Sequence, residues 1–326
     1  MIDLAMLIGG GVLLYFGAEW LVGGAAGLAR SMRVRPLLIG LTVVAYGTSA
    51  PEIVVGIQAA AAHHPDLALG NVLGSNAANL GLILGLSALL RPARVDAALR
   101  RLELPVLIGS TALLPLVLLD GTIHRWEGTL LLACALGYTA WMIRAARRAP
   151  AMLDEAAALA SATEEAADLA GAPAPTRSRA RMGLIAVVGL GVLILGGHLF
   201  VEGARALALV LGMTERLVGL TIVAVGTSLP ELMTSLIAAK RGHSDIAIGN
   251  VVGSNIFNVL LCLGTAALVG EVGAPLASLA VDLGAVVGLT LLGALFLRSA
   301  RLVTRPEAGL LLLAYLAFLA VTIARG

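Results

Sequence analysis

GLTVVAYGTSAPE at residues 40–52 recurs as GLTIVAVGTSLPE at residues 219–231, and GNVLGSNAAN at 70–79 recurs as GNVVGSNIFN at 249–258. Both pairs are offset by the same 179 residues, and 22 of the 40 positions between 40–79 and 219–258 are identical. An unbroken register of that length is an internal duplication, and the rest of the chain is read around it. Each copy sits within long apolar runs. Hydrophobic residues make up 59% of the 326 and charged residues 13%, against about 45–50% and 25% in soluble domains. The chain therefore reads as a membrane protein and not as a soluble two-domain one.

Apolar runs bounded by charge clusters predict ten transmembrane helices, near 4–29, 36–62, 67–90, 104–119, 126–143, 183–211, 217–239, 246–269, 276–297 and 308–323. The runs are continuous and do not alternate every second residue, which excludes a β-barrel and gives an all-α membrane fold. Of the 22 lysines and arginines, 18 fall in the odd-numbered connections. The positive-inside rule then places both termini outside and the connection after the fifth span in the cytoplasm, with the chain multi-pass in the plasma (inner) membrane. The first apolar run has no basic segment before it and is too long for a cleaved signal, so it reads as a retained span.

Five spans per copy is an odd number, so the second copy enters the membrane from the opposite side. The expected organisation is two inverted five-helix repeats, 1–144 and 182–326, joined by a cytoplasmic linker, 145–181. That linker is alanine-rich and carries Asp154, Glu155, Glu164, Glu165 and Asp168; it reads as a solvated segment with a short helix. A net charge of +2, scattered along the chain, gives no footprint for a nucleic acid, and the lipid bilayer is the expected partner. Cys134 and Cys262 lie in apolar runs and read as small hydrophobes.

Glu52 and Glu231 fall near the centres of the second and seventh spans, where a carboxylate costs about 2.5–3.5 kcal/mol to insert. No lysine or arginine is expected beside them, and two symmetry-related acids without a base suit a cation. Each follows a proline in Gly-Thr-Ser-x-Pro-Glu. Pro51 has no N–H and clashes with the carbonyl of Gly47, as Pro230 does with Gly226, so both helices are expected to break there. Proline and then glutamate suit the first turn of the continuing half-helix. Thr48 and Ser49, four and three residues before Glu52, share its face. On the next span Asn71, Ser75 and Asn79 recur every fourth residue, as do Asn250, Ser254 and Asn258. A lining role is favoured for Ser75, Asn79, Ser254 and Asn258, whereas Asn71, Asn76, Asn250 and Asn255 suit helix packing equally well. The inventory of carboxylates, hydroxyls, amide oxygens and freed carbonyls is a hard-cation set. Glu19 and Glu202 break the repeat register and read as snorkelling or helix-contact residues. His63, His64 and Asp66, with His243 and Asp245, read as interfacial loops.

The paired GTSAPE/GTSLPE and GNVLGSNAAN/GNVVGSNIFN motifs resemble the alpha repeats of the cation/calcium exchanger superfamily, and specifically its sodium/calcium exchangers of bacterial and archaeal type. The resemblance implies Glu52 and Glu231 as principal Ca2+ ligands. It also implies Thr48, Thr227, Ser49, Ser228, Ser75, Ser254, Asn79 and Asn258 along flanking sites, and the carbonyls of Ala45 and Ala224 at Na+ sites. Potassium-dependent relatives carry an acid where Asn258 stands, so the amides here speak against K+ coupling. The expected function is antiport of Ca2+ against Na+ by alternating access, in a chain that works as a monomer, is no enzyme and needs no cofactor beyond its transported ions. Rival readings are Ca2+/H+ exchange, with both glutamates returning protonated; a cation channel, against which the inverted repeats argue; and an intramembrane hydrolase, for which no serine–histidine or paired-aspartate set lies at one depth.

Overall fold

The computed structural model describes residues 2–32, 34–97, 99–160, 178–212, 224–299 and 302–325. In chain order they form α1 (Ile2–Met32), α2 (Pro36–Thr48), α3 (Ala50–Ala61), α4 (Pro65–Leu90), β1 (Ala93–Arg94), α5 (Leu104–Val117), β2 (Thr122–Ile123) and α6 (Arg125–Ala160). The second part holds α7 (Arg179–Val210), α8 (Ala224–Gly226), α9 (Leu229–Lys240), α10 (Ser244–Val269), β3 (Val272–Gly273), α11 (Leu276–Ser299), β4 (Leu302–Val303) and α12 (Arg305–Arg325). The molecule is mostly helical, as composition requires.

Six helices among the described residues are long and apolar enough to cross a membrane, and the bent pair α2–α3 makes a seventh. The expected ten is not reached on that measure. The span expected at 104–119 is helical, α5 following directly on a π-helical turn at Leu99–Glu103, and α6 covers 126–143, but neither passes the same test. The first part of the span expected at 217–239 lies outside the described residues. Helix α6 runs on to Ala160, past the expected end of the fifth span at 143, so the short helix expected in the linker is continuous with that span; residues 161–177 lie outside the described residues.

Burial orders the helices. In the most apolar stretch of α10, 94% of residues are buried, and in that of α4 78%, against 33% for α1, 28% for α7 and 17% for α12. The two helices carrying the Asn-Ser-Asn stripes are thus the centre of the bundle. Around them α1 and α7 form one close pair, with glycine at every seventh residue on both: Gly10, Gly17 and Gly24 against Gly189, Gly196 and Gly203. A Cβ on Gly17 would lie 2.5 Å from the backbone nitrogen of Leu193, and one on Gly189 2.5 Å from that of Leu21. Only glycine permits that approach, the small-residue packing by which membrane helices associate.

The break expected from the prolines is present. α2 and α3 meet at Ser49 with a bend of 41°, and Pro51 and Glu52 occupy the first turn of α3. Pro230 and Glu231 hold the same places in α9. Unforeseen in the sequence are π-helical turns at Asn79–Ile83 and Asn258–Cys262, again 179 residues apart, and another at Gly40–Val44. Such turns are a frequent mark of functional positions.

Two short antiparallel ribbons tie connections of one half to those of the other: β1 pairs with β4, and β2 with β3. Each ribbon leads to a helix capped by a glutamate reaching back to the chain. Glu127 accepts from the His124 nitrogen at 2.8 Å, and Glu307 from the Thr304 nitrogen at 2.8 Å. Each is the glutamate half of a capping box at its own helix.

Candidate cation site

The site is built where the two broken helices face α4 and α10. Ser49 donates to Glu231 Oε1 at 3.1 Å, and its Oγ lies 3.0 Å from Ser254 Oγ. Ser228, its repeat equivalent, donates to Glu52 Oε1 at 3.2 Å, and its Oγ lies 3.2 Å from Ser75 Oγ. Each serine therefore reaches across to the carboxylate of the other copy. The exchange is reciprocal, the pattern of a two-fold relation. Residues on the dividing line meet their own counterparts: Asn76 Nδ2 donates to the Asn255 carbonyl at 3.4 Å, and the hydroxyls of Thr111 and Thr290 lie 3.4 Å apart, each pair 179 residues apart.

Thr48, Ser49, Glu52, Ser75, Asn79, Ser228, Glu231, Ser254 and Asn258 are all buried. Among the described residues no lysine, arginine or histidine pairs with either glutamate, and no cluster of three or more His, Cys, Asp or Glu exists to hold a metal in the manner of a zinc site. What remains is oxygen. Oε2 of Glu52, Oε2 of Glu231, Oδ1 of Asn79 and Oγ1 of Thr227 are buried without a hydrogen-bond partner. Leaving such atoms unmatched costs about 1–3 kcal/mol each, more for charged groups. Unmatched acceptors and two carboxylates without a base are what a hard cation satisfies.

The second ring is also duplicated. Asn71 Nδ2 donates to the Glu52 carbonyl at 3.2 Å, and Asn250 Nδ2 to the Glu231 carbonyl at 3.3 Å. These asparagines hold the helix carrying the acid, which resolves their role toward positioning. Thr48 donates to Asn250 Oδ1 at 3.1 Å. Ala45 is buried and its carbonyl accepts from the Ser49 nitrogen at 3.0 Å, one turn before the break. Ala224 opens α8, in the corresponding place.

The copies differ at their ends. Asn258 Nδ2 donates to Asn76 Oδ1 at 3.1 Å and its own Oδ1 accepts from the Cys262 thiol at 3.5 Å. Cys262, expected as plain packing, stands four residues after Asn258 on the same helix face and so reaches its amide. Thr234 and Ser235, three and four residues after Glu231, were also missed. Both are fully buried; Ser235 accepts from Asn250 Nδ2 at 3.0 Å, and the Thr234 hydroxyl has no partner. Their equivalents are Val55 and Gly56, so the second copy is the more polar. The helical spacing from Glu231 was the available signal.

Away from the centre, Glu19 of α1 forms an ion pair with Arg241 at the end of α9, a helix contact as expected. A cavity of about 510 Å3 at the β2–β3 end is lined by Asp66, Asp120 and Glu271. There the Thr122 N–H and His124 hold the Asp120 carboxyl below the usual carboxylate range.

The sodium/calcium exchanger protein family model matches residues 2–144 and 182–324. CaxA of Alkalimonas amylolytica is 40% identical over 313 residues, 94% of each chain. The sodium/calcium exchanger MaX1 of Methanosarcina acetivorans is 29% identical over 98% of both chains. A solved structure of the sodium-calcium exchanger NCX_Mj soaked with Na+ and Ca2+ superimposes with a TM-score of 0.83 at 32% identity, covering 98% of each chain.

Proposed function

Because this chain belongs to the sodium/calcium exchanger protein family, whose members are multi-pass membrane transporters and not enzymes, we propose that it is a secondary antiporter exchanging Ca2+ for Na+ by alternating access. The observation that carries this reading is the reciprocal cluster of Ser49–Glu231 and Ser228–Glu52, with one oxygen of each glutamate left unmatched. Glu52 and Glu231 are the principal Ca2+ ligands. Thr48, Thr227, Ser49, Ser228, Ser75, Ser254, Asn79 and Asn258 line the site with the carbonyls of Ala45 and Ala224. Two fixed negative charges balance one Ca2+ or two Na+. An unneutralised pair of buried carboxylates is costly to enclose, so loaded forms cross the membrane and the empty form does not; exchange is thereby obligatory.

The proposed architecture is ten transmembrane helices in two inverted five-helix repeats, 1–144 and 182–326, joined by a cytoplasmic connection over 145–181. Support comes from the offset of 179 residues and from the reciprocal contacts across the site. Both termini lie outside the inner membrane, and the monomer is the working unit. Membrane location to this resolution rests on the arginine and lysine distribution.

The deciding experiment is uptake of radiolabelled Ca2+ into proteoliposomes under outward Na+, K+ or pH gradients applied one at a time. Uptake with Na+ alone supports the proposal. Uptake that needs K+, or that runs on a pH gradient without Na+, replaces Na+ as the coupling ion.

A further inference from the structure

A second cavity, of about 630 Å3, lies at the arginine-rich end of the bundle, remote from the glutamates. Its wall is mostly apolar, with Leu28 of α1, Val34 after it, Leu38 and Ile39 of α2 and Met142 of α6, and the hydroxyl of Thr42 is spent on the Leu38 carbonyl at 2.6 Å. Arg179, the first residue of α7, stands at its rim. The volume falls within the range of about 300–1,000 Å3 typical of small-molecule sites. Rim residues Met32, Val43 and Ile143 are 44%, 40% and 46% exposed, so the groove opens sideways between helices, in the direction a lipid would come from.

The charge at the rim selects among lipids. Arg179 donates through Nε to the Ser31 carbonyl at 3.0 Å, which fixes it over the end of α1 and uses one of its five donors. It also stands at the N-terminus of a 32-residue helix, where the backbone dipole adds positive potential. Arg30, Arg35 and Arg144 belong to the same end of the bundle, although Arg35 is engaged by Asp96 at 3.6 Å. An apolar trough with an arginine above it matches an acyl chain below a phosphate. The chain's own segment 161–177 carries acids and holds a single leucine among alanines, prolines and other small residues, a composition poor in long apolar side chains. We propose that this groove binds an anionic phospholipid, with one acyl chain along Leu38, Val43 and Ile143 and the phosphate on Arg179. The lipid would then lie against the π turn Gly40–Val44, which leads directly to Ala45 and Thr48.

The test is lipid titration of the full-length chain in detergent, followed by native mass spectrometry, with phosphatidylglycerol and phosphatidylcholine of identical acyl chains. A basic side chain near a phosphate is worth about fivefold in affinity. Wild type should hold its first phosphatidylglycerol about fivefold or more tighter than phosphatidylcholine. Arg179→Gln should bring the two to near parity, and Arg179→Lys should keep most of the preference. Val43→Trp, which fills the open side of the groove, should weaken both lipids alike. Arg179 and Val43 are exposed, so these variants leave the core unchanged, and an unaltered melting temperature would show it. Equal retention of both lipids by wild type, an undiminished preference in Arg179→Gln, or a wild-type groove closed to lipid by residues 161–177 would overturn the proposal. None of these readouts depends on which ions are transported.

Discussion

Ser49 Oγ lies 3.1 Å from Glu231 Oε1, a bond from the break in one copy to the acid of the other, and Ser228 returns it to Glu52 at 3.2 Å. The two halves of the site are thus interlocked, and neither glutamate is held by its own repeat alone. Hydrogen bonds to a charged group are worth about 1.5–3 kcal/mol. Ser49→Ala and Ser228→Ala should each lower apparent Ca2+ affinity by about tenfold or more, and by similar amounts, as read from the Ca2+ dependence of uptake. An effect confined to one serine would mean that the reciprocal geometry is not what binds the ion.

The acids carry the charge of the site. Glu52→Gln and Glu231→Gln keep volume and lose the negative charge, so each should abolish Ca2+-dependent transport while the protein still inserts and purifies as a single species. Near wild-type exchange by either variant would remove that glutamate from the ligand set.

How much of this was legible in the sequence follows the range of each interaction. The helix breaks were legible because a proline removes a specific hydrogen bond four residues back, and the duplication set both breaks at one depth. The shared face of the buried polar residues was legible from their spacing of three and four. The bonds between Ser49 and Glu231 were not, since no local pattern says which copy a hydroxyl will face. The π turns at Asn79–Ile83 and Asn258–Cys262 have no residue signature and were not legible. A short helix in the linker was legible, since alanine, leucine, methionine and glutamate are strong helix formers; its continuity with the fifth span through residues 145–160 was not, because Arg144, Arg147 and Arg148 end the apolar run there.

Glu19 has an equally specific partner. Its ion pair with Arg241 joins the close α1–α7 pair to the end of α9, and Lys240 lies 5.9 Å over the ring of Tyr15, one turn away on α1. Glu19→Gln and Arg241→Gln should each lower the melting temperature in detergent. Combined, they should cost no more than the worse single change, with a coupling of about 1 kcal/mol. Additive losses would show that the pair contributes nothing as a pair.

Orientation is testable without transport. A cysteine placed at Ala160, the last described residue of α6, should react with a membrane-impermeant maleimide only from the cytoplasmic side, and a tag after Gly326 should be reachable on intact cells. A cytoplasmic C-terminus would make the number of spans odd and break the inverted-repeat reading.

Asn258 is where the charge of the site can be changed with the least disturbance of its shape. Its amide nitrogen donates to Asn76 Oδ1 at 3.1 Å and its oxygen accepts from Cys262. Asn258→Asp replaces that donor with an acceptor, so an ionised carboxylate would face the Asn76 oxygen without a proton between them. It would also stand as a third acid in a site that already holds Glu52 and Glu231. At about 4 Å and an effective dielectric near 20, two like charges repel by roughly 4 kcal/mol. The added acid must therefore take up a proton or recruit another cation. Transport by Asn258→Asp should become dependent on pH or on K+, whereas wild type should show neither dependence at constant Na+ gradient. Proteoliposome uptake measured across pH, with and without K+, separates these cases. A mutant indistinguishable from wild type would place Asn258 outside the ion path, and its amide would then be read as part of the bond to Asn76 alone.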